Sequence, residues 1–347
     1  EKMTPEKLKS FFGGVKNANI SDKKIDEYSL MLKKEVKPNT EASASETYSA
    51  LQTVLYHDQS VNCYYSPLFM LVRDRLKRIL KPNVMLNMQK DRDDIEGFIN
   101  NFHKFGVNLT YIENDFSKYD KSQQWRCMLL EWSIYELLGI NVIDLQRWIQ
   151  GHVMSSASSV KVGIKVMLWL QRHSGDGTTA LGNSTVDMVS IADVYKFVVF
   201  LYAIFLGDDS LICTTENIDV SNVTSDMSSK YNLIAKPLIK SRMYLFSMYG
   251  VEVNNRIYLC ADPFKRVFKL SVCDTFDEKK LYEKFISFKD VMRNYDNQLV
   301  LVALEEAITT RLGIDVNLMP MLNGLYTLTT SFEKFKLCFS DKKVEVF

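Results

Sequence analysis

Gly207, Asp208 and Asp209 end a long apolar, β-prone run at 197–206, and Leu211, Ile212 and Cys213 resume it one residue later. The pattern reads as strand, tight turn, strand, with two carboxylates at the turn. Neighbouring carboxylates at the end of a core strand lose solvation and repel each other, which is costly unless a cation neutralises them. Such a turn suits a metal ion, and carboxylate-held divalent ions point to phosphoryl transfer. A second strand-like run at 109–114 delivers Asp115, and Asp120 follows it.

On its own, Asp115 is an ordinary surface or cap residue. Beside the run that ends in Gly207 it joins Asp208 and Asp209 in an oxygen-rich cluster suited to two Mg²⁺ ions about 4 Å apart, able to activate a 3′-hydroxyl and stabilise a departing pyrophosphate. Between the two acidic stretches lies Ser174-Gly175-Asp176-Gly177-Thr178-Thr179, leading to Asn183. Its glycines describe a flexible loop entering a helix, with backbone and hydroxyl groups free near a sugar or base; a capped helix start has the same composition.

The scaffold that must position these groups reads as mostly helical, with one small sheet. Leu68, Leu71, Val72, Leu76, Ile79 and Leu80 recur at helical spacing over 66–80, behind Pro67, with Arg73, Arg75, Lys77 and Arg78 on the outer side. Helices are also expected over 124–138, stopped by Gly139, over 178–191 and over 277–293. Strands are expected at 109–114, 201–206, 211–214 and 256–261, and small polar residues at 38–49 mark a loop. His57, His103, His152 and His173 share no spacing and read as structural or surface residues.

At 347 residues the chain exceeds one typical core, which suggests two domains or one multi-lobed domain. Apolar residues at 46% and charged ones at 24% describe an ordinary soluble globular protein. A net charge of +1 gives no global signal for nucleic acid, so any polyanion site must come from local clustering. Six cysteines without C-x-x-C spacing read as reduced, packed thiols with no zinc site, in a reducing compartment. The run at 197–206 is shorter than the roughly 20 residues of a spanning helix, so no membrane span is expected. Starting at Glu1 and not at a methionine, the chain reads as a fragment of a longer protein.

Asp-x4-Asp at 115–120, Ser-Gly followed by Thr and Asn at 174–183, and Gly-Asp-Asp at 207–209 resemble motifs A, B and C of viral RNA-dependent RNA polymerases, in that order. The fuller wording, Asp115-Phe116-Ser117-Lys118-Tyr119-Asp120-Lys121-Ser122-Gln123 and Gln171-Arg172-His173-Ser174-Gly175-Asp176, resembles the alphavirus-like supergroup of positive-strand RNA viruses, nearest the tobamovirus-like (virga-like) replicases. The stretch 28–38 is similar to that family's basic fingers motif, 51–57 and Pro67-Leu68-Phe69 to its fingers, and Asp262-Pro263-Phe264-Lys265 to the start of its thumb. The likeness covers about 25–275 and is weaker at both ends.

The resemblance implies an α+β, right-hand polymerase. Fingers are expected at 1–108 with 124–171, a palm carrying motifs A to E at 109–262 as a small antiparallel sheet flanked by helices, and a thumb at 263–347. It implies Asp115 and Asp208 as principal ligands of two Mg²⁺ ions, for which Mn²⁺ can substitute, with Asp209 as a secondary ligand or orienting carboxylate. Asp120 and Asn183 would read the ribose 2′-hydroxyl, with Ser174 positioning Asp120 and Gly175 and Thr179 in the same nucleotide-binding loop. Lys33, Lys34 and Lys37 are candidates for the triphosphate, and Arg172 for template or nucleotide, a surface salt bridge being the other reading. Lys236 stands where motif D usually carries a lysine that protonates pyrophosphate, although Pro237 follows it and Lys240 competes. Tyr244, Leu245 and Phe246 with Tyr249 and Gly250 resemble a primer-gripping hairpin; an aromatic core looks the same.

Implied partners are an RNA template and nascent strand, NTPs, and capping and helicase domains upstream in the same replicase. Host membrane is involved only indirectly, in cytoplasmic membrane-associated replication complexes. A reverse transcriptase shares the palm acids but usually blocks the 2′-hydroxyl with a bulky side chain, against which Asp120 and Asn183 speak. The remaining competitor is a catalytically inactive palm that scaffolds a replication complex.

Overall fold

The computed structural model describes residues 25–32, 53–159, 163–196, 199–272 and 277–339. They fall in two units, one formed by 1–90 with 112–239 and the other by 91–111 with 240–347. Lys33, Lys34, Lys37 and the loop at 38–49 lie outside the described residues.

In the first unit, β1 (Glu27–Leu32) and β2 (Thr53–Tyr56) pair antiparallel, with Ser29 opposite Tyr56. Asp58 then starts α1 (Gln59–Ile79) by accepting from the Ser60 amide at 3.0 Å. The sequence pattern opens this helix at Pro67, but Pro67 lies inside it. The Asp58 cap supplies the earlier start, and an interior proline forfeits one backbone hydrogen bond without ending a helix whose Val61, Tyr65, Phe69, Val72 and Leu76 are buried. β3 (Val84–Leu86) follows, and the chain passes through α2 (Arg92–Phe102), which belongs to the second unit, before entering β4 (Thr110–Phe116).

A left-handed residue, Lys118 at φ 53°, turns the chain into α3 (Tyr119–Ser122), a single helical turn. α4 (Trp125–Leu137) ends before Gly139, whose φ of 85° stops it as the sequence implies. α5 (Val142–Val153), capped by Asn141, runs straight into β5 (Met154–Ser159), which pairs antiparallel with β6 (Ile164–Trp169). α6 (Thr179–Tyr195) precedes the hairpin of β7 (Tyr202–Leu206) and β8 (Asp209–Thr214), and α7 (Val223–Tyr231) precedes β9 (Ala235–Lys240).

The expectation of one small sheet is corrected: the described residues form three. A four-stranded sheet has the order β2-β1-β5-β6 and a five-stranded one the order β3-β7-β8-β4-β9. The first escapes detection because β5 is Met-Ser-Ser-Ala-Ser-Ser, polar and without an apolar alternation, and reaches β1 by a long-range parallel pairing. The second is central: Tyr202, Ala203, Ile204 and Phe205 of β7 are all buried, which is why that segment reads as an unbroken apolar run. Ile112, Phe116, Val186, Ile191, Phe205 and Ile212 form part of the core that joins α6 to this sheet.

The second unit carries the meander β10 (Met243–Leu245), β11 (Met248–Glu252) and β12 (Ile257–Ala261). α2 is bound to it by side-chain bonds. Glu96 accepts from the Leu259 amide at 2.9 Å, and Asn100 both accepts from the Ile257 amide and donates to its carbonyl. Helices α8 (Pro263–Ser271), α9 (Glu278–Val291), α10 (Gln298–Leu312), α11 (Met319–Thr330) and α12 (Phe332–Leu337) complete it, with Leu301, Leu304, Ile308, Leu322 and Phe335 in the core.

Candidate active site

Leu206 pairs with Asp209, so Gly207 and Asp208 alone make the turn between β7 and β8. A two-residue hairpin with a positive φ at its first position matches the twist of its strands, and Gly207 takes φ 65°. The Gly207 amide donates to the Ser184 hydroxyl of α6 at 2.7 Å, and that hydroxyl donates in turn to the Ala180 carbonyl at 2.7 Å. Asp208 and Asp209 are thereby held at a fixed turn while both stay exposed. β4 lies beside β8 in the sheet order, and its one exposed residue past Thr110 is Asp115.

Behind the turn lies an acid that sequence reading passed over. Asp187 of α6 is fully buried, and neither carboxylate oxygen has a hydrogen-bond partner. Burial pushes its carboxyl well above the usual carboxylate range and the charges of Asp208 and Asp209 add to the rise; the Ser210 hydroxyl, close by but outside hydrogen-bond geometry, offsets part of it. The Tyr119 hydroxyl is pushed up by burial and by the charge of Asp187, with Asp208 contributing too. Tyr119 of α3, Asp187 of α6 and the carboxylates of the β7–β8 turn therefore share one negative field. The only sequence sign of Asp187 was an acid inside an otherwise apolar helical face, which periodicity alone reads as a surface residue.

α6 also carries the second part of the site. Asn183 Nδ2 donates to Asp120 Oδ1 at 2.7 Å, joining two of the expected nucleotide-binding residues. Asn183 Oδ1 accepts from Gln123 Nε2 at 2.8 Å, and the Asn183 carbonyl accepts from the Tyr119 hydroxyl at 3.0 Å. Arg172, expected at template or nucleotide, is buried: it forms an ion pair with Glu131 and donates to Gln123 Oε1 at 2.8 Å. Burial alone would weaken the Arg172 charge, but the Glu131 carboxylate beside it more than restores it and raises its pKa. A Cβ on Gly182 would come within 2.5 Å of both Arg172 and Glu131, so the glycine admits the pair beneath the helix.

The loop entering α6 is tied down, where its glycines suggested free backbone and hydroxyl groups. Ser174 Oγ donates to the Thr53 carbonyl at 3.0 Å and the Gly175 amide to the Leu55 carbonyl at 2.9 Å, both on β2; Thr179 Oγ1 donates to the His173 carbonyl. Lys236 is exposed on β9, an edge strand, the kind of strand in which a proline such as Pro237 is tolerated.

Three of the four histidines, unrelated in spacing, gather around Asp176. His152 Nε2 lies 2.7 Å from Asp176 Oδ2 and its Nδ1 2.9 Å from the Trp148 carbonyl, while His57 Nδ1 is 3.4 Å from Asp176 Oδ1. His152, His173 and Asp176 bring ligand-type atoms within 4.8 Å of one another. The 2.7 Å contact has the length of a hydrogen bond and is closer than two ligands of one tetrahedral zinc, which stand about 3.4 Å apart. Burial works to raise the Asp176 carboxyl, but His152 and His57 overrule it and hold it well below its usual range. His173 is pushed down to about 3 by burial and the neighbouring His152, and pairs with Ser155 Oγ at 3.1 Å.

A family model described as RNA dependent RNA polymerase matches residues 5–338. The chain is similar to the replicase large subunit of Odontoglossum ringspot virus (isolate Korean Cy), at 32% identity over 82% of this chain and 18% of that protein. It is similar to that of Youcai mosaic virus with the same identity and coverage, and to that of Potato mop-top virus at 27% over 93% of this chain and 18% of that protein. It thus spans about a fifth of the length of the curated relatives it matches.

Proposed function

Since the chain belongs to the RNA-dependent RNA polymerase family, we propose that it is the RNA-synthesising part of a viral replicase, joining NTPs to an RNA 3′-hydroxyl on an RNA template. The observation that carries this reading is the acid group around α6: Asp208 and Asp209 exposed on a rigid turn, Asp187 buried and unpaired behind them, and the strand bearing Asp115 alongside.

Hard carboxylate oxygens suit hard divalent ions, and a buried, unpaired carboxyl behind two exposed ones leaves a negative field that a cation relieves. Asp115 and Asp208 are the proposed principal ligands for two Mg²⁺ ions, with Mn²⁺ as a substitute and Asp209 as a secondary or orienting carboxylate. Such ions supply activation of the 3′-hydroxyl and neutralise the departing pyrophosphate. Asp120 and Asn183, already hydrogen-bonded to each other, are assigned to the ribose of the incoming nucleotide. Ser174, Gly175 and Thr179 are assigned to the nucleotide-binding loop; Ser174 Oγ, expected to position Asp120, bonds instead to the Thr53 carbonyl, and it is Asn183 that holds Asp120. Lys33, Lys34 and Lys37 are assigned to the triphosphate and Lys236, with Lys240 as the alternative, to protonation of pyrophosphate.

In right-hand terms the five-stranded sheet with α6 takes the palm role, the four-stranded sheet with α1, α4 and α5 the fingers role, and α8 to α12 the thumb role. Capping and helicase domains of the same replicase are proposed partners, on cytoplasmic membrane-associated complexes reached through other segments. Among the described residues no helix is long and apolar enough to cross a membrane.

The test is primer extension on a synthetic RNA with Mg²⁺. Wild type should extend the primer, and Asp208→Ala should retain less than about 1% of that rate with an unchanged or higher melting temperature. No extension by wild type, or full extension by the variant, would overturn the proposal. Incorporation of dNTPs in preference to NTPs would point to a reverse transcriptase.

A further inference from the structure

We propose that Gln123 is a positioning residue for ribose selection, its amide orientation dictated by the buried Glu131–Arg172 ion pair. The inference deepens the function proposed above and rests on it. A guanidinium has donors only, so the Gln123 atom that meets Arg172 Nε at 3.2 Å and Nη2 at 2.8 Å must be its oxygen. Gln123 then turns its NH₂ to the Asn183 oxygen, and Asn183 has only its own NH₂ to offer Asp120. Each amide orientation follows from the one before it, starting from a charge that cannot be lost.

Burial gives this chain its force. Gln123 and Glu131 are fully buried and Arg172 and Asn183 nearly so, while Asp120 is half-buried at the open end. Reversing either amide would set oxygen against oxygen or N–H against N–H without water to intervene. The backbone clamps the same residues: Arg172 N donates to the Gln123 carbonyl at 3.3 Å and Gln123 N to the Tyr119 carbonyl at 3.2 Å. Asp120 is thereby presented as an acceptor and Asn183 as a donor. A 2′-hydroxyl that donates to the first and accepts from the second satisfies both; a 2′-deoxyribose satisfies neither.

Gln123→Glu keeps the size and the acceptor for Arg172 but cannot donate to Asn183, which then turns its oxygen toward Asp120. The measurement is the ratio of kcat/KM for an NTP to that for the matching dNTP, in wild type, Gln123→Glu, Gln123→Met and Asn183→Ala. Both Gln123 variants should narrow the ratio by about tenfold or more, mainly through a raised KM for the NTP, in the same direction as Asn183→Ala. Because the ratio is internal to each preparation, a partly unfolded variant still reports it. Unchanged ratios in both Gln123 variants, whatever the loss of overall rate, would overturn the proposal and leave the polymerase assignment standing. Failure of wild type to incorporate any nucleotide would overturn both.

Discussion

Asp187 shows what a single buried carboxyl does to this molecule. Its folded pKa is raised, so its contribution to stability is complete only below the unfolded carboxyl value of 3.8 and is lost as pH rises through the higher folded value. Asp187→Asn keeps the shape and removes the charge. In the absence of divalent ions it should melt higher than wild type at pH 8, with the gain shrinking steadily toward pH 5 in scanning calorimetry; a gain independent of pH would mean that the carboxyl titrates alike in the folded and unfolded chain, against the rise assigned to it. Asp208 and Asp209 were legible in the sequence because a Gly-Asp-Asp turn flanked by core strands is a local pattern. Asp187 and Gln123 were not, because what distinguishes them is the absence or direction of a long-range hydrogen bond, which no spacing records.

At the scale of elements, α6 is the member that binds the site together. It touches the β7–β8 turn through Ser184, α3 through Asn183, and β4 through the Tyr195 hydroxyl, which donates to Asn114 Oδ1 at 2.5 Å. Gly207 is the weak joint in this frame. A Cβ there would meet nothing within 4 Å, so the cost of Gly207→Ala is purely one of backbone: about 1–2 kcal/mol for holding an L-residue at positive φ. Urea denaturation should show that loss, and a larger drop in incorporation rate should accompany it as the turn shifts Asp208. The helices over 124–138, 178–191 and 277–293 and the four named strands were readable within a few residues, because each is a local periodicity closed by a cap or a glycine. Strands β1, β2 and β5 were not, since their order comes from partners distant in the chain.

For the whole molecule, acid should act on both units through separate histidines. His173 in the first unit is pushed down to about 3 by burial and then by His152, and His103 in the second to about 4 by burial. Both stay neutral when folded but take up a proton near 6.5 when unfolded, so the stability each contributes is lost as pH falls below 6.5 toward its folded value. Melting temperature should therefore decline from pH 7 to pH 5 in wild type, and His103→Gln should flatten the part of that decline that belongs to the second unit. A wild-type melting temperature constant across this range would contradict the burial assigned to these rings.

The Ser184 hydroxyl has a consequence for fidelity. It stands next in sequence to the amide assigned to the sugar, and it grips the very loop on which the acids ride. On the function proposed above, a misfit substrate that displaced the helix along its axis would drag that loop with it and so displace the carboxylates proposed to hold the metal ions. Discrimination and turnover would then share one mechanical linkage, and a wrong sugar would be penalised twice, first at entry and again at the moment of bond formation.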